Sequence, residues 1–303
     1  MYKQFLLIFT GISLLAGCGG GGGGSSSTPA YTGVTTQATV TTSNAKNLSA
    51  DAYSGSQLSS AVSGVAKETG DTGGQTALLP ETASILEQSV TGIVNTPKVS
   101  AKTMAATAQN TVNGYSGSYS YAINVDQNSG AFNGTITFSQ YKASSTSITM
   151  SGNIGFSGVY NQATGTFSSL TITMSNLAGT SGTRSCKMDG TVTYTTSGAS
   201  KIIAMSAVLT DNASGRTYWV KDFTLTLTGT SLTVSGTYYD PIHGYVVIST
   251  VTPLTVSAID GNPTSGRLLF TGSNGTKARL TFTNGSYTVE ADTAGNGTYV
   301  VVP

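Results

Sequence analysis

The chain has 303 residues, with 14 basic and 13 acidic side chains and only 9% of residues charged, against about 25% in ordinary soluble domains. The basic residues are scattered and form no run, which argues against the cationic patch that nucleic acid requires. Ser, Thr, Asn and Gly must supply the polar surface instead.

Met1 to Gln4 form a short head with one positive charge, Lys3. Phe5 to Leu15 (FLLIFTGISLL) follows as an apolar run of signal-peptide length, too short to remain as a membrane-spanning helix. Leu15-Ala16-Gly17-Cys18 then resembles the lipobox of bacterial lipoprotein precursors. That resemblance implies removal of residues 1–17 as a signal peptide. It also implies a thioether from Cys18 to diacylglycerol, and a fatty acid such as palmitate on the new amine. Several acyl chains anchor stably, because each buried CH₂ contributes about 0.8 kcal/mol. The expected partner is therefore a membrane, reached through the lipid on Cys18. By the same resemblance, Gly19 in place of an aspartate points to the outer membrane, with the periplasmic or surface-facing side left open.

Residues 18–75 read as the lipidated N-terminus and a flexible tether. The stretch opens on six glycines and three serines and continues rich in Ser, Thr, Gly and Ala. Such a composition buries too little apolar surface to offset its ordering entropy. Mild alternation from Tyr31 to Thr42 leaves an added edge strand as the alternative.

Residues 76–112 read as a helical segment that packs on a sheet. Within it, 78–95 carries the helical pattern: Pro80 and Glu81 suit a first turn, and Ile85, Leu86, Val90, Ile93 and Val94 recur at helical spacing up to Pro97. Ser100 to Asn110 is Ala-rich and fits either helix or linker.

Residues 113–303 read as an antiparallel β domain, so the fold class is all-β. Phe132, Ile136 and Phe138 alternate with polar neighbours, as do Ile148, Met150, Ile154 and Phe156, and Leu170, Ile172 and Met174. Trp219, Phe223, Leu225 and Leu227 share one parity, and Asp222, Thr224, Thr226 and Thr228 the other. Turn signals separate the runs, among them Gln127 to Gly130, Asp211 to Gly215, Asn274-Gly275 and Asn284-Gly285. This predicts a meander of about a dozen strands, barrel-like or split into a sandwich. A transmembrane barrel is disfavoured, since the lipid anchor would be redundant and paired aromatic girdles are absent.

With Cys18 lipidated, Cys186 has no partner in the chain, which excludes an intrachain disulfide and a zinc site built on cysteine pairs. Cys186 shares parity with Met188, Val192 and Tyr194 and is expected in the core.

LAGC with its glycine run, VSGTYYDPIHGYVVISTVTPL, NGTKARLTF and SYTVEADTAGNGTYV together resemble a group of uncharacterised β-rich bacterial lipoproteins. The resemblance covers the anchor and most of residues 115–302, and implies architecture and location but no chemistry. In layout alone, the chain is also similar to surface lipoproteins that capture host or nutrient proteins through β-barrels on glycine-rich tethers.

Catalytic signals are thin. A Ser-His-Asp triad would have to use His243, the single histidine, and no GxSxG motif is present. Asp240-Pro241-Ile242-His243-Gly244 reads more simply as a hairpin turn. Asp292 to Gly297 has partial likeness to a calcium loop, with Ala294 at a ligand position; a Gly-Asn turn is the plainer reading. No pair of aspartates stands out for glycoside chemistry. The chain is thus read as non-enzymatic, with no cofactor, no metal and no nucleic acid partner. The expected function is a cell-envelope lipoprotein displaying a β-rich binding or structural domain; the alternative is a carrier of an apolar ligand inside a barrel-like sheet. The candidate contact surface, for an envelope or extracellular protein or glycan, is the hairpin carrying Tyr238, Tyr239, His243 and Tyr245, because tyrosines give large contact area at low entropy cost.

Overall fold

Period-two alternation of aliphatic or aromatic residues with Ser and Thr runs through the second half of the chain, and each run forms one strand. The computed structural model describes residues 30–61, 79–94 and 106–303, except 127, 162–163, 165, 183 and 258–261. Two helices precede the strands, α1 (Ala45–Ala61) and α2 (Leu79–Val94). The strands are β1 (Ala106–Asn113), β2 (Ser116–Val125), β3 (Ala131–Lys142), β4 (Thr149–Asn161), β5 (Thr166–Ser181), β6 (Arg184–Ser197) and β7 (Ser200–Asp211). Then come β8 (Thr217–Thr228), β9 (Ser231–Asp240), β10 (Gly244–Val256), β11 (Pro263–Thr271), β12 (Lys277–Thr283), β13 (Ser286–Asp292) and β14 (Val300–Val302).

All fourteen join one antiparallel sheet in chain order, each strand paired with its sequence neighbours. Among the described residues β1 and β14 do not pair, so the meander is a single open sheet, neither closed by hydrogen bonds nor divided in two. One face is apolar and buried: Phe132, Ile136 and Phe138 of β3, Leu170, Ile172 and Met174 of β5, and Leu225, Leu227, Leu232 and Val234 of β8 and β9 belong to one continuous core. The opposite face is largely Ser, Thr and Asn, as in β3, where Asn133, Thr135, Thr137 and Ser139 are exposed between the buried Phe132, Ile136 and Phe138. This apolar-in, polar-out arrangement is the reverse of a lipid-facing barrel. Among the described residues no helix is long and apolar enough to cross a membrane.

The helices cover the apolar face. α2 buries Ile85, Leu86, Val90, Ile93 and Val94, the stripe its spacing predicts, and contacts α1 and β4. α1 contacts β7, β8, β9, β12 and β13, and its Tyr53 ring lies 5.0 Å from that of Phe282 on β12.

Two boundaries differ from the sequence reading. The stretch expected as tether up to residue 75 contains α1 and, ahead of it, a packed extended segment; only 18–29 and 62–75 lie outside the described residues. The apolar stripe of α1 includes Ala45, Leu48, Ala52 and Tyr53, half of them alanine, and so is too faint to read as a helix. β1 begins at Ala106, inside the stretch read as helix or linker. Its Thr107, Thr111 and Val112 favour a strand, and it pairs along its length with β2.

The sheet coils because its ladder is interrupted by β-bulges, which add twist. Gln140 on β3, Asn176 on β5 and Asp222 on β8 take left-handed backbone angles (φ 49°, 54° and 51°), each at a break in register with a neighbouring strand. Opposite Asp222, Gly236 adopts φ 148°, and a Cβ there would run into Phe223.

Candidate functional site

The segment before α1 crosses one end of the sheet and ties three hairpins together. Thr32 N–H donates to Thr217 Oγ1 at the start of β8 (2.9 Å). Val34 N–H donates to the Pro241 carbonyl in the β9–β10 turn (3.3 Å), and Ala38 N–H to the Tyr245 carbonyl of β10 (2.8 Å). Ser273 N–H, between β11 and β12, donates back to the Ala38 carbonyl (2.7 Å). Gln37 and Tyr245 form a single parallel bridge, so the alternation from Tyr31 to Thr42 becomes a strap and not an edge strand. Gly244 (φ 92°) permits the approach, since a Cβ there would collide with the Thr36 carbonyl.

The β9–β10 turn follows a chemistry used twice more. In Asp126-Gln127-Asn128-Ser129-Gly130, Asp126 Oδ1 accepts from Asn128 N–H (2.9 Å) and Oδ2 from Ser129 Oγ (2.7 Å). Asp211-Asn212-Ala213-Ser214-Gly215 repeats both bonds, with Ala213 N–H at 2.9 Å and Ser214 Oγ at 2.6 Å. In Asp240-Pro241-Ile242-His243-Gly244, Asp240 Oδ1 accepts from the backbone N–H of Ile242 and of His243, each at 2.8 Å. His243 therefore fills the serine position of an Asp-x-x-Ser-Gly hairpin turn, and its side chain is exposed. Asp292 is likewise a turn anchor: its carboxylate accepts from Asn296 N–H (3.1 Å) and Gly297 N–H (2.7 Å). Both oxygens of the first residue of the calcium-like stretch are thus bonded to backbone.

Of the hairpin residues singled out above, Tyr239 and Tyr245 lie on the outer face and are half-buried, and His243 is exposed. Tyr238 departs from that expectation. It points into the core with 0% exposure and cannot meet an external ligand. Consecutive strand residues face opposite sides, so Tyr238 and Tyr239 could never share one surface.

Tyr239 belongs to an aromatic row that sequence parity hid. It stacks on Trp219 of β8 (centroids 4.7 Å, planes 26° apart) and packs on Tyr245 of β10 at 5.1 Å. Tyr31 of the strap closes the cluster, 5.3 Å from Tyr239 and 6.0 Å from Trp219. The Lys221 ammonium sits 4.9 Å from the Trp219 ring centre. Strict alternation put Trp219 on the buried face with Phe223. The bulge at Asp222 inverts that parity, turning Val220 inward (0% exposed) and Trp219 outward. Burial, then the nearby Asp240 and Tyr239, push the Tyr31 hydroxyl well above its ordinary pKa, so it remains a proton donor at every physiological pH. Val34, Ile242 and Val247 add exposed apolar surface, at 38%, 54% and 41%.

Two further depressions lie on the polar face. One, of about 460 Å³, is lined by Gln109, Asn110, Thr111 and Ser120 among others; the second, of about 400 Å³, by Asn124, Asn133, Thr135 and Ser157 among others. Both are open grooves. Among the described residues no three His, Cys, Asp or Glu groups converge as metal ligands. No known protein family, curated protein or solved structure matches the chain.

Proposed function

We propose that the chain is a lipid-anchored envelope protein of the outer membrane, cut before Cys18, which presents a non-enzymatic β domain. The aromatic row of Trp219, Tyr239 and Tyr245 with Tyr31 is the domain's contact surface. The observation that carries this reading is the strap. It starts at Ala30, twelve residues after the cysteine of the LAGC sequence, and is bonded onto the outer aromatic face. The segment leading back toward Cys18 and the contact surface therefore share one end of the sheet.

A module fits better than a carrier. The apolar face of the sheet is covered by α1 and α2, and the open grooves are lined by Thr, Ser and Asn, whereas ligand pockets are predominantly apolar clefts or cavities. Radiolabelled palmitate supplied to cells should enter the wild-type chain and leave Cys18→Ser unlabelled, with the variant released from the membrane fraction. A Cys18→Ser chain that labels equally would refute the anchor.

A further inference from the structure

The aromatic surface has a composition and a position that together name its partner. We propose that this partner is the lipid bilayer itself, with the Trp219–Tyr239–Tyr245 row and the Ile242 turn settling into the headgroup layer. The proposal rests on the reading that Cys18 carries lipid.

Reach comes first. Ala30 lies twelve positions after Cys18, so even a fully extended chain spans at most about 43 Å. A strand of twelve residues is itself about 40 Å long. The end of the sheet carrying the strap is thus held within about 43 Å of the anchor, whereas the opposite ends of β8 and β9 can lie farther from it by up to the length of the strands.

Chemistry agrees with position. Trp and Tyr have an apolar body and a polar tip, which suits the boundary between headgroups and acyl chains. Ile242 and Val247 project from the same hairpin with about half their surface exposed. Lys221 offers a long apolar stem and a cation that reaches anionic headgroups. A glycan platform needs open ring faces. Here Trp219 has Tyr239 against one side and the Lys221 ammonium above its ring, and Tyr239 is flanked by Trp219, Tyr245 and Tyr31. The exposed aliphatic groups beside them, Val34, Ile242 and Val247, offer contact that lipid accepts without directional demands.

Trp219 is the single tryptophan of the chain, so its emission reports on this surface alone. The mature, lipidated chain would be reconstituted into phosphatidylethanolamine and phosphatidylglycerol vesicles, with and without bromine on the acyl chains. The expected result is flotation with the vesicles and at least twofold quenching of Trp219 by the brominated lipid. The double variant Ile242→Glu, Val247→Glu should float equally and lose most of that quenching. A chain that floats while Trp219 is unaffected by bromine overturns the docking and leaves the anchor standing. Equal quenching in wild type and double variant overturns the assigned contact residues. A chain that does not float overturns the anchor, and this proposal with it.

Discussion

The hydroxyl of Tyr31 donates a 2.8 Å hydrogen bond to the backbone carbonyl of Asp240, 209 residues later in the chain. The same oxygen lies 3.0 Å from the Val34 carbonyl. This one side chain fixes the strap to the β9–β10 turn and completes the aromatic row. Tyr31→Phe keeps the ring and loses the bond, and should lower unfolding stability by about 1 kcal/mol. Tyr31→Ala also removes the ring contacts with Trp219 and Tyr239, each aromatic pair adding about 0.5–1.5 kcal/mol beyond its area, and should cost about 2–3 kcal/mol. Urea unfolding followed by Trp219 emission checks both; equal stability of wild type and Tyr31→Ala would mean the strap is not held there.

Tyr238, one residue from the stacked Tyr239, behaves oppositely. Its hydroxyl is fully buried and has no hydrogen-bond partner among the described residues, and burial first, then the Asp51 and Asp240 charges, hold its pKa well above the ordinary value. Leaving a buried hydroxyl unpaired costs about 1–3 kcal/mol. Tyr238→Phe should therefore be neutral or stabilising by up to about 1 kcal/mol, whereas Tyr238→Ala should cost about 3–5 kcal/mol for the cavity. A destabilising Tyr238→Phe would show that the hydroxyl has a partner in solution.

Cys186 is 0% exposed on β6, beside Asp211 of β7. Burial, then the Asp211 charge, push its thiol pKa up to about 12. The thiolate that attacks reagents is thus scarce at pH 8. Native protein should resist a maleimide at that pH for hours and react stoichiometrically once unfolded in guanidinium. Rapid native labelling would place the thiol outside the core.

Acid should destabilise the fold through its turns. Burial works to raise the Asp292 pKa, but backbone N–H groups of Gly297, Asn296 and Gly295 outweigh it and the carboxyl titrates below its ordinary value. Asp126 is lowered as well, mainly by the Ser129 hydroxyl and then by the Asn128 N–H. A carboxylate whose pKa falls on folding stabilises the native state above its unfolded pKa. That contribution disappears as pH falls through the folded value, so the loss begins near pH 4 and continues below it. Melting temperatures from pH 6 to pH 2 should drop steeply below 4, and Asp292→Asn should flatten the curve. An unchanged slope in Asp292→Asn would assign the acid sensitivity elsewhere.

Much of the architecture was legible because alternation survives wherever strands are regular: α2, the buried faces of β3 to β5 and the core position of Cys186 follow from spacing alone. Legibility failed where local geometry breaks the period. Alternation alone places Trp219 on the wrong face, because nothing in Trp219-Val220-Lys221-Asp222-Phe223 marks a bulge beyond an aspartate able to adopt a left-handed backbone. Parity between Tyr238 and Tyr239 was available and would have separated the buried ring from the exposed one. Tyr31 joins the site through contacts with Trp219, Tyr239 and Asp240, the last 209 residues away, which no local pattern encodes. α1 was missed because alanines bury as well as leucines in a crowded interior without announcing it.

The chemical state of the N-terminus tests the lipid anchor most directly. Mass spectrometry of the N-terminal peptide, from protein purified out of the envelope, should find Cys18 as the first residue, carrying a diacylglyceryl thioether. A chain still beginning at Met1, or a mature peptide with a free Cys18 thiol, would contradict it.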